Sequence, residues 1–342
     1  MDCSVIILNW NGEEVLRRFL PSVILCTPKE VAEIVVADNG STDGSVEWLR
    51  TQPVRLILLD KNYGFAGGYN RAIAQVDTKY IVLLNSDVEV SPGWLPPLLE
   101  CLHDYCNVAA VQPKIISWKS QQEFLAGKIE YPLFEHAGAA GGMLDALGYP
   151  YCRGRFLTHI EEDYTQYDYP QRIFWTSGAC MVTTKQLYEG VGGLDEFFFA
   201  HQEEIDLCWR LQCRGFIMMC VPKSVVYHVG AATLSYENPK KTYLNFRNNL
   251  LMLYKNMPAR HYYPVMVARF FLDYLAALQM LLTGHLANFR AVLKARRDFL
   301  KARKRYKQIR RDNIEEAVPD DYPPVIARRS IIFDYYILRK KQ

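Results

Sequence analysis

Residues 80–90 read YIVLLNSDVEV: an apolar run from Tyr80 to Leu84 that stops at Asn85-Ser86-Asp87, followed by Val88 and Val90 framing Glu89. As local chemistry, Asn, Ser and Asp bond their own backbone and favour turns. As topology, an open α/β sheet binds ligands just beyond the carboxyl ends of its strands, where this carboxylate would stand. The surrounding sequence decides between the two.

Three further runs repeat the pattern upstream: SVIILNW (4–10), EIVVAD (33–38) and VRLILLD (54–60). Between them lie stretches with helical spacing: GEEVLRRFLPSVILC (12–26) despite Pro21, SVEWLRTQ (45–52) and GFAGGYNRAIAQV (64–76). After the fourth run, PGWLPPLLECLHDY (92–105) predicts a helix with Pro92 near its start. Strands alternating with helices specify an α/β fold, a mostly parallel central sheet with helices on both faces. Each run ends in polar residues: Asn9 and Asn11, Asp38 and Asn39, Asp60 and Asn62, Asn85 and Asp87. In a parallel sheet these ends share one edge, and four polar clusters on one rim point to a site.

The 342 residues suffice for one large core or two modest ones, and 50% hydrophobic with 23% charged residues is the balance of a folded globular chain. The net charge of +3 hides an asymmetry: residues 290–311 carry eleven Lys or Arg and one Asp, leaving the rest of the chain at −7. The nine scattered cysteines form no C-x-x-C pair, and MDCSVIILNWNG lacks the features of a signal peptide, so a reduced cytoplasmic setting is expected.

Residues 118–172 are Gly- and Tyr-rich with little periodicity and predict long loops over the rim. Then come a strand with a short helix (172–193), a helix over 200–215 stopped by Gly215, and further strands over 216–230. From Asn238 the pattern is helical. This gives an α/β domain at 1–237, with halves of about 1–115 and 116–237, and a helical extension at 238–342. Within the extension, YPVMVARFFLDYLAALQMLLTGHL (263–286) is the most apolar run, but Arg269 and Asp273 interrupt it. Its charge-free remainder is short for a span, and the basic run follows at once. That pairing suits peripheral attachment to an anionic membrane through residues 260–311, at the inner face of the cell membrane. The competing reading is an amphipathic helix packed on the catalytic domain. Nucleic acid is not an expected partner, because no aromatic-rich sheet or loop adjoins the basic run.

Three constellations carry chemistry. Glu203, Glu204 and Asp206 open a helix, where acids favour the dipole in any protein. However, FFFAHQ before them and LCWRL after them supply apolar surroundings that raise a carboxylate's pKa toward general-base use. Asp87 and His228 are candidate metal ligands, since Mg²⁺ or Mn²⁺ binds through one or two protein groups plus diphosphate oxygens. The glycines at 64, 67 and 68 fit neither the dinucleotide fingerprint nor a P-loop, which counts against NAD and ATPase readings.

Taken together, ILNWNG, VVADNGSTDGS, NYGFAGGYNRA, LLNSDVEV, HQEEIDLCWR and VVYHVG resemble the family 2 inverting glycosyltransferases of GT-A fold, and most closely a rhamnosyltransferase-like branch, over about residues 3–255. The resemblance implies a donor pocket of Asn9, Trp10, Asn11, Asp38, Asn62, Gly64 and Asn70, with Trp10 offering its ring for stacking and Asp38 accepting from the base. It places Asn85-Ser86-Asp87 at the family's D-x-D metal motif, with an amide in place of the first acid, so that Asp87 is the chief anionic ligand and His228 its helper. Glu204 falls at the catalytic base position, with Glu203 and Asp206 as alternates. Trp175, Thr176, Ser177 and Gly178 resemble a strand bordering the acceptor. The implied activity is transfer of a hexosyl or deoxyhexosyl unit from a UDP- or dTDP-linked donor to a hydroxyl of a glycan or polyprenyl-linked acceptor, with a divalent cation, in cell-surface polysaccharide assembly. The alternatives are a nucleotide-sugar-binding protein without catalysis and a basic RNA-binding protein.

Overall fold

A computed structural model describes residues 2–230, 238–318 and 326–339. The boundary drawn at 237/238 lies at the edge of a stretch outside the described residues. The first half runs β1 (Cys3–Asn9), α1 (Glu13–Cys26), β2 (Glu33–Asp38), α2 (Ser45–Leu49), β3 (Arg55–Leu58), α3 (Gly64–Ile73), β4 (Tyr80–Asn85), β5 (Val88–Val90), α4 (Pro96–Asp104) and β6 (Val108–Ser117). β1 pairs in parallel with β2 and with β4, and β2 with β3. Their carboxyl ends therefore lie on one edge. β1 shows why the central strands are apolar throughout: Ile6 enters the core on one face of the sheet, Val5 and Ile7 the core on the other.

The helix expected from Pro92 begins later. Pro92 lies in the preceding turn, and Pro96 takes the first helical position, where its missing N–H costs nothing.

Residues 118–172 differ from the expected long loops. They contain α5 (Trp118–Leu125) and a four-stranded antiparallel sheet of very short strands: β7 (Gly142–Leu144), β8 (Pro150–Cys152), β9 (Arg155–Phe156) and β10 (His159–Ile160). Gly142 anchors this sheet against the Trp175 ring. A Cβ at Gly142 would lie 2.1 Å from that ring, so only glycine fits.

The sheet continues with β11 (Gln171–Ile173), β12 (Cys180–Thr184) and, after α6 (Lys185–Gly190) and α7 (Glu203–Cys213), the long β13 (Ile217–His228). β12 lies antiparallel between β4 and β6, while β13 runs parallel to β6 and pairs with β5 through Val88 and His228. β13 is one strand rather than several, with a register shift between Val221 and Val225 where Pro222 cannot donate to the ladder. α8 (Pro239–Asn256), α9 (Ala259–Leu282), α10 (Leu286–Ala302), α11 (Lys307–Glu315) and α12 (Ile331–Tyr336) complete the chain.

α9 is 24 residues long, with a mean hydropathy of 1.6 over its most apolar window, long and apolar enough to cross a membrane by length and composition. The charges within its apolar run, Arg269 and Asp273, face inward. Arg269 Nε donates to Asp273 Oδ1 at 3.0 Å, and Arg296 of α10 reaches Asp273 Oδ2 at 2.5 Å. The outward face carries Tyr263, Val267, Phe271, Leu275, Leu278 and Leu282, all exposed, at three- and four-residue spacing.

Candidate active site

The rim formed by β1, β2, β3 and β4 is cross-braced by amide side chains. Asn9 is fully buried, and its Nδ2 donates to Asp38 Oδ2 at 2.9 Å and Ser41 Oγ at 3.2 Å. Asp38 Oδ1 accepts the Ser41 N–H at 2.9 Å. Asn9 Oδ1 is buried with no hydrogen-bond partner among the described residues. Trp10 is 50% exposed beside it, and Asn11, at φ 49°, accepts the Thr42 N–H at 2.7 Å.

Asn39, which sequence reasoning placed on the rim but gave no role, is the keystone of the next layer. Its Nδ2 donates to the Gly64 carbonyl at 3.0 Å and to Asn62 Oδ1 at 3.2 Å, and its Oδ1 accepts the Tyr63 N–H at 3.0 Å. Asn62 Oδ1 also accepts the Gly64 N–H at 2.7 Å. Asn70 belongs elsewhere. Its Nδ2 donates to the Leu194 carbonyl at 2.8 Å and its Oδ1 accepts from Tyr188 Oη at 2.6 Å, so it braces α3 against the segment leading to α7.

Gly64 joins the strand-end rim to the loop before α7. It sits at φ +74°, and a Cβ there would lie 2.7 Å from the Phe199 carbonyl oxygen, to which the Phe65 N–H donates at 2.7 Å. Phe199, His201 and Gln202 all have positive φ, of 66°, 70° and 75°. Such backbone is strained for side chains of this size and clusters at functional sites. α8 holds it in place: Asn248 Nδ2 is within 3.0 Å of the carbonyls of Phe198, Ala200 and His201, and Arg247 Nη2 donates to the Phe197 carbonyl at 2.8 Å.

This loop delivers the three acids on the first turn of α7. Asp206 is fully buried and committed to an ion cluster, with Arg210 Nε at 3.0 Å, Lys255 Nζ at 2.8 Å and Asn256 Nδ2 at 2.8 Å. Burial would raise its pKa, but Lys255 and Arg210 outweigh that and hold it below the usual carboxylate range. Glu203 and Glu204 differ. Each has an Oε2 that is buried without a hydrogen-bond partner among the described residues. Burial, and then the neighbouring Glu204 charge, drives Glu203 well above its ordinary pKa. Burial pushes Glu204 up to about 7, backbone hydrogen bonds at the helix start partly opposing it. An uncommitted carboxylate poised near neutrality is suited to take a proton.

Beyond β4, Asp87 and His228 do meet. His228 Nε2 lies 3.1 Å from Asp87 Oδ1 and 3.3 Å from Asn85 Nδ2. Sequence reasoning missed the third member, Glu135, whose Oε2 stands 3.5 Å from His228 Nδ1. It sits in the aperiodic 118–172 stretch, and no local signal marks it. Burial would lower the His228 pKa, but Asp87 and then Glu135 override it and lift it to about 10. Two carboxylates around one imidazole leave the buried group with a surplus negative charge. Among the described residues no set of three or more His, Cys, Asp or Glu is arranged to hold a metal ion. A divalent cation would be held here by Asp87 and a deprotonated His228, with further ligands from a bound molecule and water, and Glu135 would orient the imidazole from its far side.

The acceptor-bordering stretch is not a strand and is buried. It lies between β11 and β12, where Trp175 Nε1 donates to the Met143 carbonyl at 2.9 Å and Thr176 Oγ1 lies 3.4 Å from Cys208 Sγ. Ser177 Oγ donates to the Ala137 carbonyl at 2.8 Å, and a Cβ at Gly178 would meet the Phe65 ring at 3.1 Å. These residues build the wall behind the site.

Residues 4–165 match the family model of glycosyl transferase family 2. The chain is 28% identical, over 66% of its length and 75% of the relative's, to N-acetylglucosaminyl-diphospho-decaprenol L-rhamnosyltransferase of Mycobacterium tuberculosis. It is 25% identical, over 73% of its length and 75% of the relative's, to the low-salt glycan biosynthesis hexosyltransferase Agl10 of Haloferax volcanii. In fold it is similar to GalNAc-T7 solved with UDP, GalNAc and Mn²⁺, at a TM-score of 0.57 and 17% identity, covering 74% of this chain and 47% of that one. The chain thus carries a family 2 glycosyltransferase domain, has the GT-A fold with added C-terminal helices, and is a glycosyltransferase.

Proposed function

We propose that the protein is an inverting glycosyltransferase that moves one sugar from a nucleotide-diphosphate donor, UDP- or dTDP-linked, to a hydroxyl of a lipid-linked glycan during cell-surface polysaccharide assembly. The observation that carries this reading is the placement of Glu204: a half-buried carboxylate with a free oxygen and a pKa near 7, on the first turn of α7 just after a strained loop whose Phe199 carbonyl accepts from the Phe65 and Ala66 N–H groups beside the rim.

In this reading Trp10 stacks on the base while Asn9 Oδ1 and Asp38 accept from it, and the Asn39–Asn62–Gly64 bracing fixes the floor beneath. Glu204 takes the proton of the acceptor hydroxyl as that oxygen attacks the anomeric carbon on the face opposite the diphosphate. One displacement inverts the configuration. A divalent cation, Mg²⁺ or Mn²⁺, supplies charge neutralisation for the departing diphosphate. Asp87 and His228 hold it, and Glu135 and Asn85 orient them. The diphospho-decaprenol acceptor in the name of the mycobacterial relative supports a polyprenyl-diphosphate acceptor. The exposed apolar stripe of α9 beside the basic α10 supports a catalytic domain resting on the inner face of the membrane.

The test is a thermal-shift panel of UDP, dTDP and GDP, each with and without Mn²⁺, on wild type and Asp87→Ala. A shift for one nucleotide that needs both Mn²⁺ and Asp87 is the expected result. Absence of a shift with every nucleotide would refute the donor site and turn attention to RNA binding by residues 290–311. Nucleotide binding without transfer would leave a binding protein.

A further inference from the structure

A cavity of about 620 Å³ opens between α8, α10 and the catalytic loop, and none of the rim or metal-site residues lines it. Its walls carry four cations, Lys240, Arg247, Arg290 and Lys294, and two aromatic rings, Phe199 and Tyr243. Among the described residues no Asp or Glu lines it, and Lys240, Arg290 and Lys294 pair with no carboxylate. Lys240 stands 4.8 Å from the Phe199 ring centroid and Lys294 4.8 Å from that of Tyr243. Arg247 is buried and fixed, its Nε donating to Asn248 Oδ1 at 2.9 Å and Nη2 to the Phe197 carbonyl. Asp298, outside the lining, accepts from Tyr243 Oη at 3.0 Å and leaves the surplus of positive charge in place. Four like charges converging on one cavity repel one another unless an anion offsets them.

Two neighbours say which anion. Phe199, one wall of the cavity, begins the strained turn that leads to Glu203 and Glu204, so an anion held here lies at the foot of the catalytic loop. On the other side, exposed Leu281, Leu282 and Leu286 run directly into Ala287, which lines the cavity. A charged head beside an apolar corner is the signature of an amphiphile. We infer that this cavity binds the diphosphate of the lipid-linked acceptor, with Arg290, Lys294, Lys240 and Arg247 on the phosphate oxygens and the lipid chain leaving along the end of α9. Assignment to the acceptor rests on the transferase reading above, in which the donor diphosphate already has its place at Asp87 and His228. Holding the acceptor by its diphosphate lets the sugar that precedes it present a hydroxyl toward Glu204, and makes a fixed spacing between diphosphate and reactive hydroxyl part of the enzyme's selectivity.

The experiment titrates the full chain with farnesyl diphosphate, inorganic pyrophosphate and farnesol, and separately with UDP, dTDP and GDP in Mn²⁺. It compares wild type with the double variant Arg290→Ala/Lys294→Ala, both exposed positions. Removing one charge-assisted hydrogen bond to phosphate should weaken binding by roughly tenfold. Farnesyl diphosphate and pyrophosphate should therefore bind the double variant at least tenfold more weakly. Farnesol should not distinguish the two proteins, and nucleotide affinity should be unchanged. Equal affinity of both proteins for farnesyl diphosphate, or no binding to either, would overturn the inference. A parallel loss of nucleotide affinity would overturn the acceptor assignment and make the cavity part of the donor site. Failure of every nucleotide on wild type, with the farnesyl diphosphate difference intact, would refute the transferase reading and leave the diphosphate site standing.

Discussion

Replacing Glu204 with glutamine separates its two roles, because the amide keeps the shape and removes the charge. As general base its loss should lower kcat by about 10²–10⁴. As a half-buried carboxylate whose Oε2 is enclosed without a partner it burdens the fold. Its pKa is near 7 in the folded chain against an ordinary value of 4.5, which corresponds to about 3 kcal/mol; with some solvent access at this half-buried position, roughly 2 is a fairer figure. Well below pH 4.5 Glu204 is protonated in both states and contributes nothing. Between 4.5 and 7 the folded chain retains a proton that the unfolded chain has released, so stability falls as pH rises, and the penalty is complete above about pH 7. Glu204→Gln should therefore match wild type in stability near pH 4 and exceed it by about 2 kcal/mol at pH 8. Urea unfolding at the two pH values measures this without any knowledge of the substrates. Turnover with the donor identified by the thermal-shift panel measures the catalytic loss. Wild-type kcat in the variant would remove Glu204 as the base. A stability difference independent of pH, or of the opposite sign, would refute the argument from burial.

Two other perturbations test the frame around it. Glu135→Gln should weaken nucleotide-dependent Mn²⁺ binding by about 10- to 100-fold in calorimetry while leaving the fold intact, since His228 keeps its place but loses the carboxylate that orients its ring; Glu135→Asp should restore part of the affinity, and unaltered binding would mean Glu135 has no part in positioning. Lys255→Met should cost about 3–5 kcal/mol in urea, because Asp206 and Asp195 lose the ammonium that bridges them at 2.8 and 2.7 Å; a loss below about 1 kcal/mol would show that Arg210 and Asn256 suffice.

What was legible in the chain followed from periodicity. The first four strands alternate with helices at regular spacing, and their polar ends fall on one rim because parallel strands leave no other arrangement. The positions of Asn9, Asp38, Asn62 and Asp87 at or beyond strand ends were read that way, and that of Glu204 at a helix start from the residues around it. Asn70 shares a motif with Gly64, yet points to Tyr188 and Leu194, because its position on α3 faces the next segment rather than the rim. The small sheet over 142–160 was invisible because strands of two or three residues are too short for a period of two to register. Glu135 and Asn248 could not be read at all: their roles depend on contacts with His228 and with the carbonyls of residues 198–201, far away in sequence. Arg269 and Asp273 misled in a different way. Counted along the chain they interrupt an apolar run, but four residues apart on one helix they share its inner face and pair with each other and with Arg296.

The catalytic loop explains why the C-terminal helices belong to the site's physics. Three non-glycine residues with positive φ before α7 would cost on the order of 1–3 kcal/mol each if the backbone were free to relax. Within the first 115 residues, Gly64, Phe65 and Ala66 contribute contacts to Phe199 only. Asn248, buried on α8, reaches three of the loop's carbonyls, and Arg247 the next one upstream. Burial at the start of α7 is what lifts the pKa values of Glu203 and Glu204. Arg247, which shares the seating of α8 on the loop with Asn248, also lines the cavity proposed for the acceptor diphosphate. In that proposal an anion drawn to Arg247 would act on one of the two α8 side chains, Arg247 and Asn248, that hold the loop before Glu203 and Glu204.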